Sequence, residues 1–276
     1  MHQFNLNFNL SGRQLLTSMV LMATAFLICC ILISTDYNNK WMLAIHANPI
    51  LPTWFWSISN LGGDAFVVLF LLLMCEQRPG LLTSWVLKIW LLGAVLVHSI
   101  KLIFPMPRPA SVLGIDRLSL IDNPPLVSSS MPSGHALAAI SCGVVLMIVM
   151  NFRGAKKLNV FLVGVAFLTA AWSRVAVGAH WPSDVIVGVA LGILVFVMAS
   201  TWEQRATWNQ WFTKSQGRIF LIALHLLIAI YFTQPQSELR VVQLIQLGLS
   251  GLSLYRAYSL IKAYFFNSLF LIGRKQ

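Results

Sequence analysis

Apolar runs long enough to cross a lipid bilayer divide this chain, and no other feature of the sequence restricts its fold as strongly. A spanning helix takes about 20 predominantly apolar residues. Residues 14–34, 54–74 and 84–104 each meet that length, and further runs follow at 136–152, 158–178 and 184–200. In hydrocarbon, every backbone N–H and C=O must be satisfied inside the protein, which makes such runs helical. Composition removes the soluble alternative. Hydrophobic residues make up 58% of the chain and charged residues 10%, against roughly 25% charged in an ordinary globular domain. The expectation is an all-α, polytopic transmembrane helical bundle with a six-span core over residues 1–200. Residues 201–276 hold a polar linker at 203–218, an apolar run at 219–233 and a mixed run at 241–272, giving one or two extra C-terminal helices. The mixed run carries Arg256 and Lys262 and reads as a crossing that continues along the interface. The first run follows Arg13, is long, and lacks a clean small-residue cleavage site after it, so it reads as a retained span.

The formal net charge is +11. In a soluble domain this would suggest nucleic acid as a partner. Here the cations are scattered through short segments between spans, where they set topology and meet anionic headgroups, so nucleic acid is not expected. With a cytoplasmic N-terminus, Arg13, Arg78, Lys88, Arg153, Lys156, Lys157, Arg205, Lys214, Arg218, Arg274 and Lys275 fall on the inner side. Lys40, Lys101, Arg108, Arg117, Arg174 and Arg240 fall outside. Three of these outer cations belong to the motifs below and so have a reason to break the positive-inside pattern. Cys29, Cys30, Cys75 and Cys142 lie in or beside apolar runs without metal-ligand spacing, and read as small buried hydrophobes. Trp54, Trp56, Trp181 and Trp211 read as interfacial belt anchors.

The loop at about 105–135 holds Pro105, Pro107, Pro109, Pro124, Pro125 and Pro132. That density predicts an ordered, non-helical pocket wall or lid. Three polar segments gather at its side of the bundle: Lys101 with Arg108-Pro109, then Pro132-Ser133-Gly134-His135, then Ser173-Arg174 with His180 and Asp184. Lys101, Arg108 and Arg174 bring three cations to one face, and arginine forks match phosphate oxygens. Ser133 and Gly134 open the fourth span, where free N–H groups and the helix dipole favour an anion. Pro182 suits a first helical turn, which puts Asp184 just inside the sixth span and His180 just before it. A carboxylate on one ring nitrogen fixes the tautomer and leaves the other free to attack phosphorus. His135 is placed to protonate the leaving oxygen. Grouped carboxylates for magnesium are too few and two histidines make a poor zinc site, so neither metal nor cofactor is expected.

The three segments match KxxxxxxRP, PSGH and SRxxxxxHxxxD at every fixed position, and the chain thereby resembles the type 2 phosphatidic acid phosphatase (PAP2) superfamily over about residues 54–200. The resemblance implies a phosphohistidine on His180, oriented by Asp184, with His135 as the acid. It implies that Lys101, Arg108, Ser133, Gly134, His135 and Arg174 hold the phosphate, in a helical bundle whose active site lies at the outer membrane face. The expected protein is then a multi-pass inner-membrane phosphatase facing the periplasm. Its candidate substrates are undecaprenyl pyrophosphate, phosphatidylglycerophosphate, phosphatidic acid and lipid A phosphates. A lipid phosphotransferase using the same phosphohistidine is the nearest alternative. A vanadate-dependent haloperoxidase is disfavoured by the spans, and a transporter by polar groups clustered at span ends rather than at the midplane. Asp64, within the second run, and His98, one turn before Lys101, read as structural, with a pairing of Asp64 to a cation of the site left open, and Ser128, Ser129 and Ser130 fit a pocket lining and a solvated loop equally well.

Overall fold

The structure is a computed structural model that describes residues 12–34, 36–76, 79–126 and 128–272. In chain order the helices are α1 (Gly12–Ser34), α2 (Tyr37–Ala47), α3 (Thr53–Gly62), α4 (Ala65–Met74), α5 (Leu81–Ile103), α6 (Pro109–Leu113), α7 (Gly134–Phe152), α8 (Lys157–Ala176), α9 (Pro182–Arg205), α10 (Asn209–Thr213), α11 (Ser215–Thr233) and α12 (Arg240–Ile272). No strand forms among the described residues. Five helices are long and apolar enough to cross a membrane, and seven spans result if each bent pair counts as one. The protein is thus an all-helical, multi-pass membrane protein. α7 packs against α8 and α9, α5 closes the other flank of α9, and α1 lies along α9 with Phe26, Leu27 and Ile31 facing outward.

The second apolar run is not one straight helix, as its hydropathy predicts. Its two halves, α3 and α4, meet at an angle of 61°. The reason is Asp64, whose extended backbone starts a new helix in mid-run. Its Oδ1 accepts from the N–H groups of Phe66 at 2.8 Å and Val67 at 3.2 Å, an N-cap that satisfies donors the break would otherwise orphan. The neighbouring Gly63 lets the elbow approach α8: a Cβ there would stand 3.0 Å from the Ala170 carbonyl oxygen. The proline-rich loop is also more helical than expected, with α6 begun by Pro109 at its first turn and a 3-10 turn at Ile115–Arg117. The remainder of that loop is irregular.

Two glycines set the distance between α7 and α9. A Cβ at Gly188 would meet the Ser133 carbonyl oxygen at 2.6 Å, and one at Gly192 would meet that of Leu137 at 2.9 Å. Backbone cannot give way as a side-chain tip can, so small residues one turn apart are what permit this approach. The contact brings the Ser133 N–H to the Asp184 carbonyl at 3.1 Å.

At the opposite end of the bundle, Lys88 is not a loop cation between spans. It is fully buried within α5 and paired with Glu203 of α9. Glu203 also accepts from the Ser84 hydroxyl at 2.6 Å, and Lys88 donates to the Ala206 carbonyl. The indoles of Trp202 and Trp208 lie 5.5 Å and 4.9 Å from the ammonium, close enough for cation–π attraction. Cys29 and Cys142 are buried as expected, whereas Cys30 is exposed on α1 and Cys75 half-buried.

The C-terminal segment forms a hairpin. α11 and α12 are joined through polar contacts: Ser250 Oγ donates to the Ala229 carbonyl at 2.9 Å, and Ser253 Oγ to that of His225 at 2.8 Å. α12 is a single 33-residue helix, about 50 Å long at 1.5 Å per residue. α11 docks on α4 through aromatic pairs, Phe66 with Tyr231 and Phe70 with Phe232, at centroid distances of 4.3 Å and 6.4 Å.

Removing one partner of a buried ion pair strands the other charge, at a cost of about 3–5 kcal/mol. Glu203→Ala is therefore expected to lower the unfolding midpoint of the detergent-solubilised protein sharply. A midpoint unchanged from wild type would show that Lys88 does not depend on this carboxylate.

Candidate active site

The irregular loop and four helix ends converge on one cavity of about 370 Å³. Lys101, Arg108, Gly134, His135, Arg174 and His180 all line it. Of the residues singled out from sequence, Ser133 and Asp184 stand one layer back, both buried. Ser133 is the N-cap of α7, its Oγ accepting from the Ala136 N–H at 3.3 Å. That leaves the first-turn N–H groups of Gly134 and His135, which have no partner within the helix, at the cavity wall.

The three cations are each held by neutral oxygens. Lys101 Nζ donates to the Ser129 carbonyl at 2.9 Å. Arg108 donates through Nε to Ser128 Oγ at 3.0 Å and through a terminal nitrogen to the Ala179 carbonyl at 2.7 Å. Arg174 donates to the Asn60 side-chain carbonyl, and its Nε is buried without a hydrogen-bond partner. Among the described residues, none of the three stands within 4 Å of a carboxylate oxygen. Arg108 and Arg174 are more than nine-tenths buried, so their charges are shielded from water, with carboxylates near them but not in direct ion pairs. Such a cage suits a multiply charged oxyanion.

Beneath the cage, His180 and Asp184 face one another at the start of α9. Trp181 is the N-cap, Pro182 takes the first helical position, and Asp184 reaches back to accept from the Trp181 N–H at 2.9 Å. The same oxygen, Oδ2, accepts from the Ser130 hydroxyl and lies 3.3 Å from His180 Nδ1. Nδ1 is thereby occupied by the carboxylate side, and Nε2 is the nitrogen left for chemistry. Burial, followed by the nearby charges of Arg174, Arg108 and Lys101, pushes the His180 pKa well below the usual histidine value, favouring the neutral ring. Trp181 is not a belt anchor; it is buried, and its indole N–H donates to the Pro107 carbonyl at 2.8 Å, tying the proline loop to this helix start.

The sequence left the roles of two participants open. Ser130 is buried against the His180–Asp184 pair rather than solvated; its only sequence signal is its position two residues before the PSGH segment. Asp64 is both structural and site-facing: besides capping α4, its Oδ2 lies 3.6 Å from His135 Nε2 and accepts from the Tyr231 hydroxyl at 2.7 Å. His98 is exposed and lines the cavity beside Lys101. Away from the cations the cavity becomes an apolar slot between α5 and α7, walled by Ile89, Trp90, Gly93, Val97, Leu137 and Ala138.

Fold and site together define a polytopic membrane protein with an oxyanion cage and a paired histidine at one end of its bundle. A model of the PAP2 superfamily matches residues 81–208. The segment that carries the three motifs is thus similar to that superfamily. The fold is similar to the crystal structure of a transmembrane PAP2-type phosphatidylglycerolphosphate phosphatase from Bacillus subtilis, with a TM-score of 0.50 and 20% identity over 69% of this chain and 97% of that one. No curated protein matches the sequence.

In histidine-labelled protein, the His180 ring, assigned by its loss in His180→Gln, is expected to give the NMR shifts of neutral imidazole at pH 6. A depressed pKa means that the proton is taken up only as pH falls below the ordinary value of about 6.5. A ring that titrates at or above that value would contradict the buried, cation-flanked environment.

Proposed function

We propose that the protein is a phosphatase of membrane lipid phosphates or pyrophosphates, working at the outer, periplasmic face of the inner membrane through a phosphohistidine on His180. The observation that carries this reading is the cage itself: three cations gathered around one cavity, none of them, among the described residues, in direct ion pair with a carboxylate. Phosphoryl transfer requires mainly positioning and stabilisation of charge on the equatorial oxygens. Lys101, Arg108, Arg174 and the first-turn amides of α7 supply both in this reading.

His180 Nε2 attacks phosphorus, the bond from phosphorus to the leaving oxygen breaks, and His135 gives its proton to that oxygen. Asp184 holds the Nδ1 proton and offsets the positive charge that forms on the ring. Water then attacks the phosphohistidine, neutral His135 takes a proton from it, and inorganic phosphate departs. The apolar slot opening beside the cage supports a lipid leaving group, since acyl or prenyl chains have somewhere apolar to lie. An outer-face site is supported by the positive-inside distribution of the other cations. The PAP2 phosphatase of similar fold acts on phosphatidylglycerolphosphate; undecaprenyl pyrophosphate, phosphatidic acid and lipid A phosphates are the further candidates.

The test is phosphate release by the purified protein from a panel of these lipids in EDTA, with His180→Ala as control. Release that persists in EDTA and vanishes in the variant is expected. Silence across the panel from folded protein would refute hydrolysis, and a phosphorylated lipid appearing in place of free phosphate would make the protein a phosphotransferase. In the same assay Ser130→Ala removes one hydrogen bond to a charged group, worth about 1.5–3 kcal/mol. Its kcat is expected to fall about 10- to 100-fold, with KM little changed. An unaltered kcat would mean that Ser130 does not position the pair.

A further inference from the structure

A second cavity, of about 560 Å³, lies on the other side of His135 and Arg174. Of the motif residues, His135 and Arg174 reach it, and half of the residues that line it lie outside the matched segment. Its walls are the 121–125 loop and the turn joining α11 to α12, which brings Gln236, Ser237 and Glu238 over the site, with Gln243 behind them. The walls are braced before any ligand arrives. Asp122 accepts from Ser57 Oγ at 2.7 Å and from the Asn60 amide at 3.3 Å, and the Asn123 amide donates to Glu238 at 2.9 Å across the rim.

The chemistry of these walls selects an occupant. Asp64, Asp122 and Glu238 are three carboxylates, and among the described residues Arg174 is the one Lys or Arg that lines the cavity. Arg174 is also part of the phosphate cage, with its Nε buried and unpartnered. A second phosphate would find repulsion there, whereas ionised carboxylates accept hydrogen bonds and the flanking amides both accept and donate. The volume is that of an ordinary small-molecule site. Since His135 and Arg174 line this chamber and the apolar slot alike, the two spaces meet where the phosphate would be held.

We infer that this chamber is a polyol subsite, which binds a glycerol- or sugar-class group next to the phosphate being transferred. The inference rests on the phosphatase reading and deepens it. Two sources present the same hydroxyls: the headgroup of the substrate itself, or a separate lipid-linked polyol that accepts the phosphate.

The test uses full-length protein in detergent, wild type and the wall variants Glu238→Gln and Gln236→Leu. Two lipids are compared: one whose phosphate is esterified to a sugar hydroxyl, and a polyprenyl phosphate without hydroxyls. Binding of each is measured in the His180→Ala background, so the readout does not need turnover, and KM is measured in the active protein. The wall variants are expected to weaken the sugar-bearing lipid by about five- to tenfold, the worth of one or two hydrogen bonds, and to leave the polyprenyl phosphate within about twofold. Equal weakening of both lipids, or of neither, overturns the subsite. A wild-type protein that releases phosphate from neither lipid removes the hydrolase reading, while the binding comparison still decides the chamber. To separate the sources, polyprenyl pyrophosphate is offered together with a sugar lipid that carries no phosphate. Label found on the sugar lipid, and reduced by Glu238→Gln, supports the subsite as an acceptor site; label found only in inorganic phosphate supports it as a headgroup site, provided the binding difference holds.

Discussion

Three like charges held close together, two of them buried and the third half-buried, are the condition on which this architecture turns. Lys101 comes from the end of α5, Arg108 from the proline loop and Arg174 from the end of α8, and each is restrained by a carbonyl, hydroxyl or amide oxygen of another segment. Neutral acceptors hold the cations in place without cancelling them. A carboxylate in the same positions would give a more stable resting protein and a poorer anion site. The repulsion among the three must therefore be contained by the surrounding frame. That frame consists of the close α7–α9 approach at Gly188 and Gly192, the Ser133-to-Asp184 backbone bond and the Trp181 clamp on Pro107.

The far end of the same helices shows the opposite solution. Lys88 and Glu203 form a closed pair, with a serine hydroxyl and two indoles around them. α5 and α9 are joined there by matched charge, whereas the other end of α5 carries Lys101, which is held by a carbonyl and not by a carboxylate. In a chain with so few ionisable residues, this division separates the part that holds the bundle together from the part that meets an anion.

Much of this was legible in the amino-acid order. Spans longer than about 18 residues announce themselves by length and hydropathy, and the fixed spacing of Lys101, Arg108, His135, Arg174, His180 and Asp184 marked one site, because residues of that chemistry rarely recur in that order by accident. What stayed hidden depended on partners distant in the chain. Asp64 looked like an acid stranded in a span; only the elbow between α3 and α4 shows that it caps one helix and faces His135. Ser130 looked like part of a polar serine run until Asp184, 54 positions later, was seen to receive its hydroxyl. Lys88 looked topological until Glu203 arrived from 115 residues away. Hydropathy and local spacing carry no information about such pairings, since each depends on which helix faces which.

Tyr231 joins α11 to Asp64, and Asp64 in turn faces His135. The hairpin that supplies Tyr231 begins after the last position matched by the superfamily, yet it ends two contacts from the proposed proton donor. Residues beyond the matched segment therefore touch the proposed site at a sensitive point. A substitution in the hairpin would reach His135 through Tyr231 and Asp64 with every motif position left in place.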